Sequence, residues 1–255
     1  MKIITLTKKN LLSIFCCFLI SVFAIIILSS TAGKVVQTSG EERKIPIYCV
    51  DTKEKVCSIS FDAAWGNEYT DTLLEILDKY DVKATFFLVE EWVSKYPDSV
   101  KKIFDSGHDV GNHSSTHPHM NDLSKEQQQK EIQNCNESIK KITGECPTLF
   151  RAPYGEYNNS LVECCNGLCS MYCVQWNIDS LDWKDPTPQE MLTRIQKNLK
   201  EGSIILMHNG AKNTPDALPL IIEYIKSEGY EIVPISKLLP DGEYTTDHEG
   251  KMICK

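Results

Sequence analysis

The chain has 255 residues, of which 42% are hydrophobic and 24% are charged, and this is an ordinary globular composition. It suits one large α/β domain with a substantial core better than two small domains. The formal net charge of -8 argues against nucleic acid or another polyanion as the main partner, whereas a neutral glycan is compatible with it.

The N-terminus has the pattern of an export signal. A start that carries Lys2, Lys8 and Lys9 but no acid precedes an almost wholly apolar run over residues 11–28. Such a start holds its lysines on the cytoplasmic side, and a run of about 18 residues is long enough to span a bilayer. We therefore expect a signal peptide or signal anchor over residues 1–32, with an uncleaved anchor favoured over cleavage near Ala32. The rest of the chain is then extracytoplasmic, either membrane-anchored or secreted.

Three further segments follow this signal. Residues 33–50 read as a stalk or linker, residues 51–240 as the single folded domain, and residues 241–255 as a C-terminal tail. Nine of the eleven cysteines lie outside the apolar run, and an odd count leaves one thiol unpaired within a single chain. A cluster over residues 164–173 lacks paired C-x-x-C spacing, which favours one local disulfide or reduced thiols over a zinc knot.

Within the domain, short β-rich runs alternate with stretches of helical period. The predicted strands cover residues 56–61, 84–89, 109–111, 148–150, 171–176, 203–207 and 231–234. Two helix starts carry capping boxes, Ser124-x-x-Gln127 and Thr187-x-x-Glu190, and Thr214-Pro215 opens another helix. Strands that alternate with helices indicate parallel strands joined by crossover helices.

The polar residues favour a closed barrel over an open sheet. Chemically capable side chains follow five different strands, and in a barrel all strand ends of one polarity surround one mouth. An open doubly wound sheet would instead concentrate its site at a single switch point. The sequence therefore predicts an α/β fold, a distorted (β/α) barrel of about seven parallel strands. These side chains are Asp62, His113, His117, Arg151, Tyr154, Asp179, Asp182 and His208.

Each polar signal is modest when taken alone. His113 and His117 are four residues apart, so on one helical turn they would face the same way and share a metal ion. Two surface histidines beside a turn would give the same pattern, and Pro118 discourages a long helix. His208 at the tip of an apolar strand suits proton transfer, whereas Asp62 after the first strand is either a catalytic carboxylate or a turn-forming aspartate.

Taken together, the motifs resemble the polysaccharide deacetylase family (carbohydrate esterase family 4, the NodB-homology domain) over about residues 56–239. The first motif also resembles a variant found in sporulation-associated members. In chain order the motifs are Ser60-Phe61-Asp62, His113-Ser114-Ser115-Thr116-His117, Arg151-Ala152-Pro153-Tyr154-Gly155, Asp179-Ser180-Leu181-Asp182-Trp183 and Leu206-Met207-His208.

The resemblance implies a metal-dependent N-deacetylase that acts on N-acetylated amino sugars of a cell-wall polysaccharide, peptidoglycan or a chitin-like glycan. His113 and His117 would hold a divalent metal, usually zinc, with cobalt or nickel as alternatives. Asp62 would be the general base, oriented and kept ionised by Arg151.

The remaining motif residues would complete the proposed site. His208 would protonate the leaving amine, supported by Asp182 or, less favoured, Asp179. The backbone N–H of Tyr154 would help to stabilise the oxyanion, while Trp183 and Leu206 would wall the acetyl pocket.

One position departs from the family pattern. The first motif usually has two adjacent aspartates, the base and then a metal ligand, but here the second is Ala63. Zinc takes at least three protein ligands, so water, Asp62 itself, His119 or Asn67 would have to fill the gap. Three hypotheses follow: an active deacetylase is favoured, followed by a glycan-binding pseudoenzyme and then by another metal-dependent C–N hydrolase such as a cyclic amidase.

Overall fold

Over residues 42–168, 170–240 and 242–254, the part of the chain that this computed structural model describes, eleven strands form one curled sheet. They are β1 (Cys49–Val50), β2 (Val56–Ala63), β3 (Thr85–Leu88), β4 (Asp109–Asn112), β5 (Leu149–Phe150), β6 (Tyr172–Cys173), β7 (Ile178–Asp179), β8 (Ser203–His208), β9 (Glu231–Ile232), β10 (Tyr244–Thr246) and β11 (Lys251–Cys254). Each of the seven predicted strands overlaps one of these. The predicted signal over residues 1–32 lies outside the described residues.

The sheet curls into a distorted barrel. Its strand order is β10-β11-β1-β8-β2-β3-β4-β5-β6, with β7 paired to β8 and β9 paired to β2. All pairings are parallel except β1 with β8 and β10 with β11. Ile47, just before β1, forms a parallel bridge with Val174, just after β6. This bridge brings the two sides of the sheet together, and the predicted fold class is confirmed.

The helices connect the parallel strands. They are α1 (Thr70–Lys79), α2 (Glu90–Lys95), α3 (Pro97–Asp105), α4 (Lys125–Thr143), α5 (Asn159–Glu163), α6 (Pro188–Asn198), α7 (Thr214–Ser227) and α8 (Ile235–Leu238). Both predicted capping boxes are formed, by Ser124 and Gln127 at the start of α4 and by Thr187 and Glu190 at the start of α6. Within the described ranges, no helix combines the length and the apolarity that a bilayer crossing requires.

Strand β2 shows how the sequence divides core from site. Its odd-numbered side chains, among them Phe61 and Ala63, are fully buried in an apolar cluster with residues of the surrounding helices. Since successive side chains of a strand point to opposite faces, Ser58, Ser60 and Asp62 lie on the barrel interior. The strand runs two residues beyond its predicted end at Phe61, so Asp62 is part of the strand.

The C-terminal segment differs from the expectation of a tail. Strand β11 pairs in parallel with β1, and β10 adds to β11 as an antiparallel hairpin, so residues 244–254 extend the sheet. Outside the cysteine cluster over residues 164–173, the thiols of Cys49, Cys57, Cys135, Cys146 and Cys254 are free.

Candidate active site

A cavity of about 410 Å³ opens at the C-terminal ends of the parallel strands. Seven of the nine predicted site residues line it, namely Asp62, His113, His117, Tyr154, Trp183, Leu206 and His208. The other two, Arg151 and Asp182, are fully buried behind the cavity wall. The structure therefore brings all nine residues together at one mouth, as the barrel prediction required.

Asp62 and Arg151 form a buried ion pair. Nη1 of Arg151 donates to Oδ1 of Asp62 at 2.8 Å, and the Asp62 side chain is 6% exposed. Burial alone would raise the pKa of Asp62, but the charges of Arg151, His113 and His208 outweigh this effect and lower the pKa below its ordinary value. Asp62 is therefore an ionised carboxylate at neutral pH, with Oδ2 not engaged by the guanidinium.

Arg151 is itself held from three sides. Its Nη2 donates to Oγ of Ser60 at 2.9 Å and to the carbonyl oxygen of Gln175 at 3.1 Å. The guanidinium also lies 4.1 Å from the centroid of the Phe87 ring. These contacts fix the planar fork of donors, and through it the orientation of Asp62.

His113 presents one ring nitrogen to Asp62. Its Nδ1 lies 2.8 Å from the carbonyl oxygen of Arg151, which can only accept, so Nδ1 carries the proton. Its Nε2 lies 3.5 Å from Oδ2 of Asp62. Burial lowers the pKa of His113, although Asp62 opposes this effect. The imidazole is therefore neutral at pH 7, with Nε2 available as an acceptor or as a metal ligand.

The His113–His117 segment is a loop, and not the helical turn on which residues four apart would face the same way. Ser114 and His117 have φ values of 71° and 55°, in the left-handed region. The carboxylate of Glu131, on α4, accepts from the backbone N–H groups of Ser115 and Thr116 at 2.9 Å and supports this conformation. The two imidazole rings nevertheless meet edge to face, with centroids 5.0 Å apart. Burial and the neighbouring His113 lower the pKa of His117 to about 4.

The donors present fit a divalent metal only in part. Two neutral imidazoles face one cavity, and the carbonyl contact of His113 is the kind of support that metal-binding histidines have. Ala63 is fully buried in the apolar cluster and lies outside the cavity lining. Within the described ranges, no group of three His, Cys, Asp or Glu side chains is arranged to hold a metal ion. The set thus offers two imidazoles, one ligand fewer than a protein zinc site takes.

The structure also shows where the other protein groups that could act as a third metal ligand lie. His119 stacks on the Tyr154 ring at 4.4 Å, and its Nδ1 lies 3.1 Å from the carboxylate of Glu156. Asn67 donates to Oγ of Ser99 at 2.9 Å and does not line the cavity. Among the protein groups considered, Asp62 alone lies beside the histidine pair.

His208 forms the second polar group of the site. Its Nδ1 lies 2.7 Å from Oδ1 of Asp182, and its backbone N–H donates to Oδ2 of the same carboxylate at 2.6 Å. Thr214 donates to Oδ2 at 2.8 Å. Burial alone would lower the pKa of His208, but the hydrogen bond and charge of Asp182 outweigh it and raise the pKa. Asp179 lines the cavity without a hydrogen bond to His208, so Asp182 is the contacting partner.

The walls of the cavity are partly aromatic. Tyr154, predicted to contribute its backbone N–H, has a φ of 59°, which is unusual for a residue other than glycine. Trp65 and Trp176, to which the sequence motifs assign no role, also line the cavity. The position of Trp65 three residues after Asp62 was the available signal for the first of them. For Trp176, the only sequence signal of a place in the site was its position at the end of the predicted strand 171–176.

Comparisons with known proteins agree with this geometry. The family described as "Polysaccharide deacetylase" matches residues 50–168. A peptidoglycan-N-acetylglucosamine deacetylase of Bacillus cereus is 31% identical over 194 residues, which cover 74% of this chain and 91% of that protein. A peptidoglycan-N-acetylmuramic acid deacetylase of Bacillus subtilis is 34% identical over 74% of this chain, but the match spans only 40% of its length. The match spans 61% of an uncharacterised relative from the same organism.

Among solved structures, a carbohydrate esterase family 4 pseudoenzyme from Bacillus anthracis is similar, with a TM-score of 0.74 and 37% identity. The match covers 76% of this chain and 69% of that one. A mutant of the same pseudoenzyme, described as having restored enzymatic activity, matches with a TM-score of 0.74 and 38% identity, covering 76% of this chain and 71% of that one.

Proposed function

Because the chain belongs to the polysaccharide deacetylase family, we propose that it removes acetyl groups from N-acetylated amino sugars of a cell-wall glycan, with peptidoglycan as the first candidate. A single observation carries this proposal. Asp62 and His208 are register partners on the neighbouring strands β2 and β8, and both line one cavity. An ionised carboxylate and an imidazole with a raised pKa thus stand side by side, with a buried partner behind each.

In this proposal, Asp62 accepts the proton of the attacking water. Arg151 keeps the carboxylate ionised and fixes its orientation through the 2.8 Å hydrogen bond. A base whose pKa lies below neutrality is deprotonated before substrate binds, so the site is prepared at pH 7. The backbone N–H of Tyr154 would donate to the oxygen that becomes negative in the tetrahedral intermediate.

His208 then donates a proton to the departing sugar amine. Its Nδ1 is bound to Asp182, so Nε2 is the nitrogen that delivers the proton. The raised pKa keeps the imidazole protonated to a higher pH than an ordinary histidine. Trp183 and Leu206, which line the same cavity, would flank the acetyl methyl group.

For a divalent ion, zinc first and cobalt or nickel as alternatives, His113 and His117 are the proposed ligands. When bound, such an ion supplies Lewis-acid polarisation of the acetyl carbonyl. The lowered pKa of both histidines supports this assignment, because a ligand nitrogen must be unprotonated.

A second candidate function is favoured by Ala63. Its apolar, fully buried position leaves the histidine pair without the carboxylate that family members usually supply. A protein with this substitution would bind the N-acetylated glycan and turn it over slowly or not at all. The similarity to a pseudoenzyme of the same family supports this alternative.

The cellular setting is also a proposal. The basic start and apolar run of the sequence support an extracytoplasmic domain, membrane-anchored or secreted, which meets cell-wall glycan, and the variant first motif supports a role in sporulation. Protease treatment of intact protoplasts tests the location. Digestion of the domain while cytoplasmic markers survive is expected, and protection of the domain alongside those markers would contradict it.

Acetate release tests the deacetylase proposal directly. The full chain is incubated with zinc or cobalt and either an N-acetylglucosamine oligomer or peptidoglycan. We expect acetate above the blank, and a loss of at least about a hundredfold in Asp62→Asn and in His208→Ala. Glycan binding without acetate release on either substrate would instead support the pseudoenzyme.

A further inference from the structure

The cavity of the candidate active site continues into a second lobe of about 560 Å³. The two lobes share five lining residues, Asp62, Ala64, Trp65, Trp183 and His208. The second lobe is also lined by residues 209–212, which follow β8, and not by the histidine pair. A ligand bound at the proposed catalytic pair can therefore extend into this lobe without leaving the groove.

Exposed aromatic rings concentrate at the mouth of this groove. Among the described residues, five large apolar side chains are exposed, and three of them are Trp65, Tyr154 and Trp183, all of which line the candidate active site. Trp65 is the most exposed, at 66%. Large apolar rings that cluster in water around a cavity are typical of a binding surface.

Trp65 stands on a turn that is held rigidly. The indole N–H of the buried Trp92 donates to the carbonyl oxygen of Gly66 at 2.6 Å. The turn also packs closely on Gly210, where an added Cβ atom would lie 2.7 Å from the carbonyl oxygen of Trp65. The backbone of this turn is fixed before any ligand arrives, so binding at Trp65 costs little backbone entropy.

The ring of Trp65 keeps enough exposed surface for a ligand to stack on it, since the residue is 66% exposed. It meets His117 edge to face, with centroids 5.1 Å apart and an interplanar angle of 62°. The C–H groups on one face of a pyranose carry partial positive charge, and an aromatic face carries partial negative charge, so the two surfaces attract each other. Polar groups of the second lobe, including Asp185 and Lys212, can bond the hydroxyl groups at the ring edge.

We infer that Trp65 is a sugar-stacking platform and that the second lobe binds the sugar next to the N-acetylated residue in the same glycan chain. The inference rests on the proposed function for the chemical class of the ligand, and it adds a second binding subsite with a named residue. It predicts that recognition depends on the length of the glycan.

Binding of N-acetylglucosamine oligomers of one to five units, measured by calorimetry in the presence of a chelator, tests this subsite without turnover. In the parent protein, affinity should rise by at least about tenfold between the monomer and the trimer. Trp65→Ala should lose most of that gain and weaken monomer binding much less than trimer binding, whereas Trp65→Phe should keep most of the gain. Leu220→Ala, which removes another exposed apolar side chain, is the matched control and should behave as the parent.

A second variant tests the position of the Trp65 turn without removing the ring. Gly210→Ala should displace the Trp65 turn and reduce the length-dependent gain while Trp65 is still present. A parent with no gain from monomer to trimer, or a Trp65→Ala protein that keeps the gain, would overturn the subsite. If length-dependent binding through Trp65 is found but acetate release is not, the subsite stands and the deacetylase proposal fails. If acetate is released but the affinity does not depend on glycan length, the deacetylase proposal stands and the subsite fails.

Discussion

Asp182 binds His208 through both of its carboxylate oxygens. Oδ1 lies 2.7 Å from the imidazole Nδ1, and Oδ2 accepts the backbone N–H of the same residue at 2.6 Å. One buried carboxylate therefore fixes the backbone, the ring orientation and the proton affinity of His208 together. The substitution of Asp182 should thus alter His208 more than the loss of one hydrogen bond would.

Asp182→Asn is expected to lower the pKa of His208. The variant removes the negative charge that opposes burial, so the imidazole loses its proton at a lower pH. NMR titration of the histidine ring protons measures this without any activity. If acetate release is observed, the basic limb of its pH profile should move in the same direction. Asp179→Asn, which removes a carboxylate without a hydrogen bond to His208, should give a clearly smaller shift, and equal shifts would contradict the assignment.

The same pair should make stability depend on pH. The folded-state pKa of His208 is raised, so its contribution is fully present below the unfolded value of about 6.5 and is lost as pH rises through the folded pKa. The free energy of unfolding, measured with urea, should fall between pH 6 and pH 9 in the parent. It should fall by less over the same range in Asp182→Asn. An unchanged pH dependence in the variant would contradict the prediction.

Asp62→Asn should destabilise the fold as well as the chemistry. The guanidinium of Arg151 is fully buried, and loss of its partner costs about 3–5 kcal/mol of unfolding free energy. Asp71→Asn removes an exposed partner of Lys102 and should cost less than about 1 kcal/mol. Denaturant unfolding at pH 7 compares the two variants. Similar losses would mean that the buried pair has no special role in stability.

The Asp62 contribution should also have a defined pH window. The pKa of Asp62 is lowered in the folded state, so the stability it provides is present above the unfolded value of about 3.9 and is lost as pH falls through the folded pKa. The parent should therefore lose stability on acidification more steeply than Asp62→Asn does.

Metal content tests the two histidines separately from turnover. Alanine at His113 or at His117 should remove most of the zinc, cobalt or nickel that the purified protein retains after reconstitution, measured by elemental analysis. His119→Ala should retain it, because that ring stacks on Tyr154 and contacts Glu156. His248→Ala is the control on an exposed histidine. Equal metal content in all four variants would exclude the proposed ligands.

Ala63→Asp should restore a third ligand at a measurable cost. We expect metal affinity to rise at least about tenfold, equivalent to about 1.4 kcal/mol. Because position 63 is fully buried among apolar groups, the variant should be less stable than the parent without metal and should regain stability when metal is added. Thermal unfolding with and without zinc measures both effects. A melting temperature that does not respond to zinc would show that the new carboxylate remains in the apolar cluster.

Sequence patterns predicted the long elements better than the short ones. Strand β2 alternates apolar with polar side chains, β8 contains a continuous apolar run, and the start of α4 carries its own capping signal, so local information was sufficient. Strands β1 and β7 have two residues each and lie outside the predicted strands, whereas the equally short β5, β6 and β9 lie inside longer β-rich runs of the sequence. Strands β10 and β11 form because β1 offers a pairing edge, which is a tertiary effect.

At the site too, features that depend on local sequence could be predicted, and features that depend on tertiary contacts could not. The identities of Asp62, Arg151 and His208 could be inferred because strand ends of one polarity meet at one mouth. The shape of the His113–His117 loop could not be inferred, because it depends on Glu131 of helix α4 and on Asn112, whose side chain accepts from the Ser114 N–H at 2.7 Å. The sequence predicts a missing ligand at Ala63, and the alternation along β2 places this position on the apolar side of the strand.

The bridge between Ile47 and Val174 has a consequence for biosynthesis. Ile47 can form its bridge only after Val174 has been synthesised. Strand β2 can pair with β8 only after residues 203–208 have been synthesised, and this pairing covers most of the length of β2. Until β8 has emerged, the apolar face of β2 lacks this neighbour, and pairings of such large sequence separation form slowly. The nascent chain must therefore remain unaggregated through most of its synthesis, and a chaperone that holds it in that interval should raise the yield of folded protein.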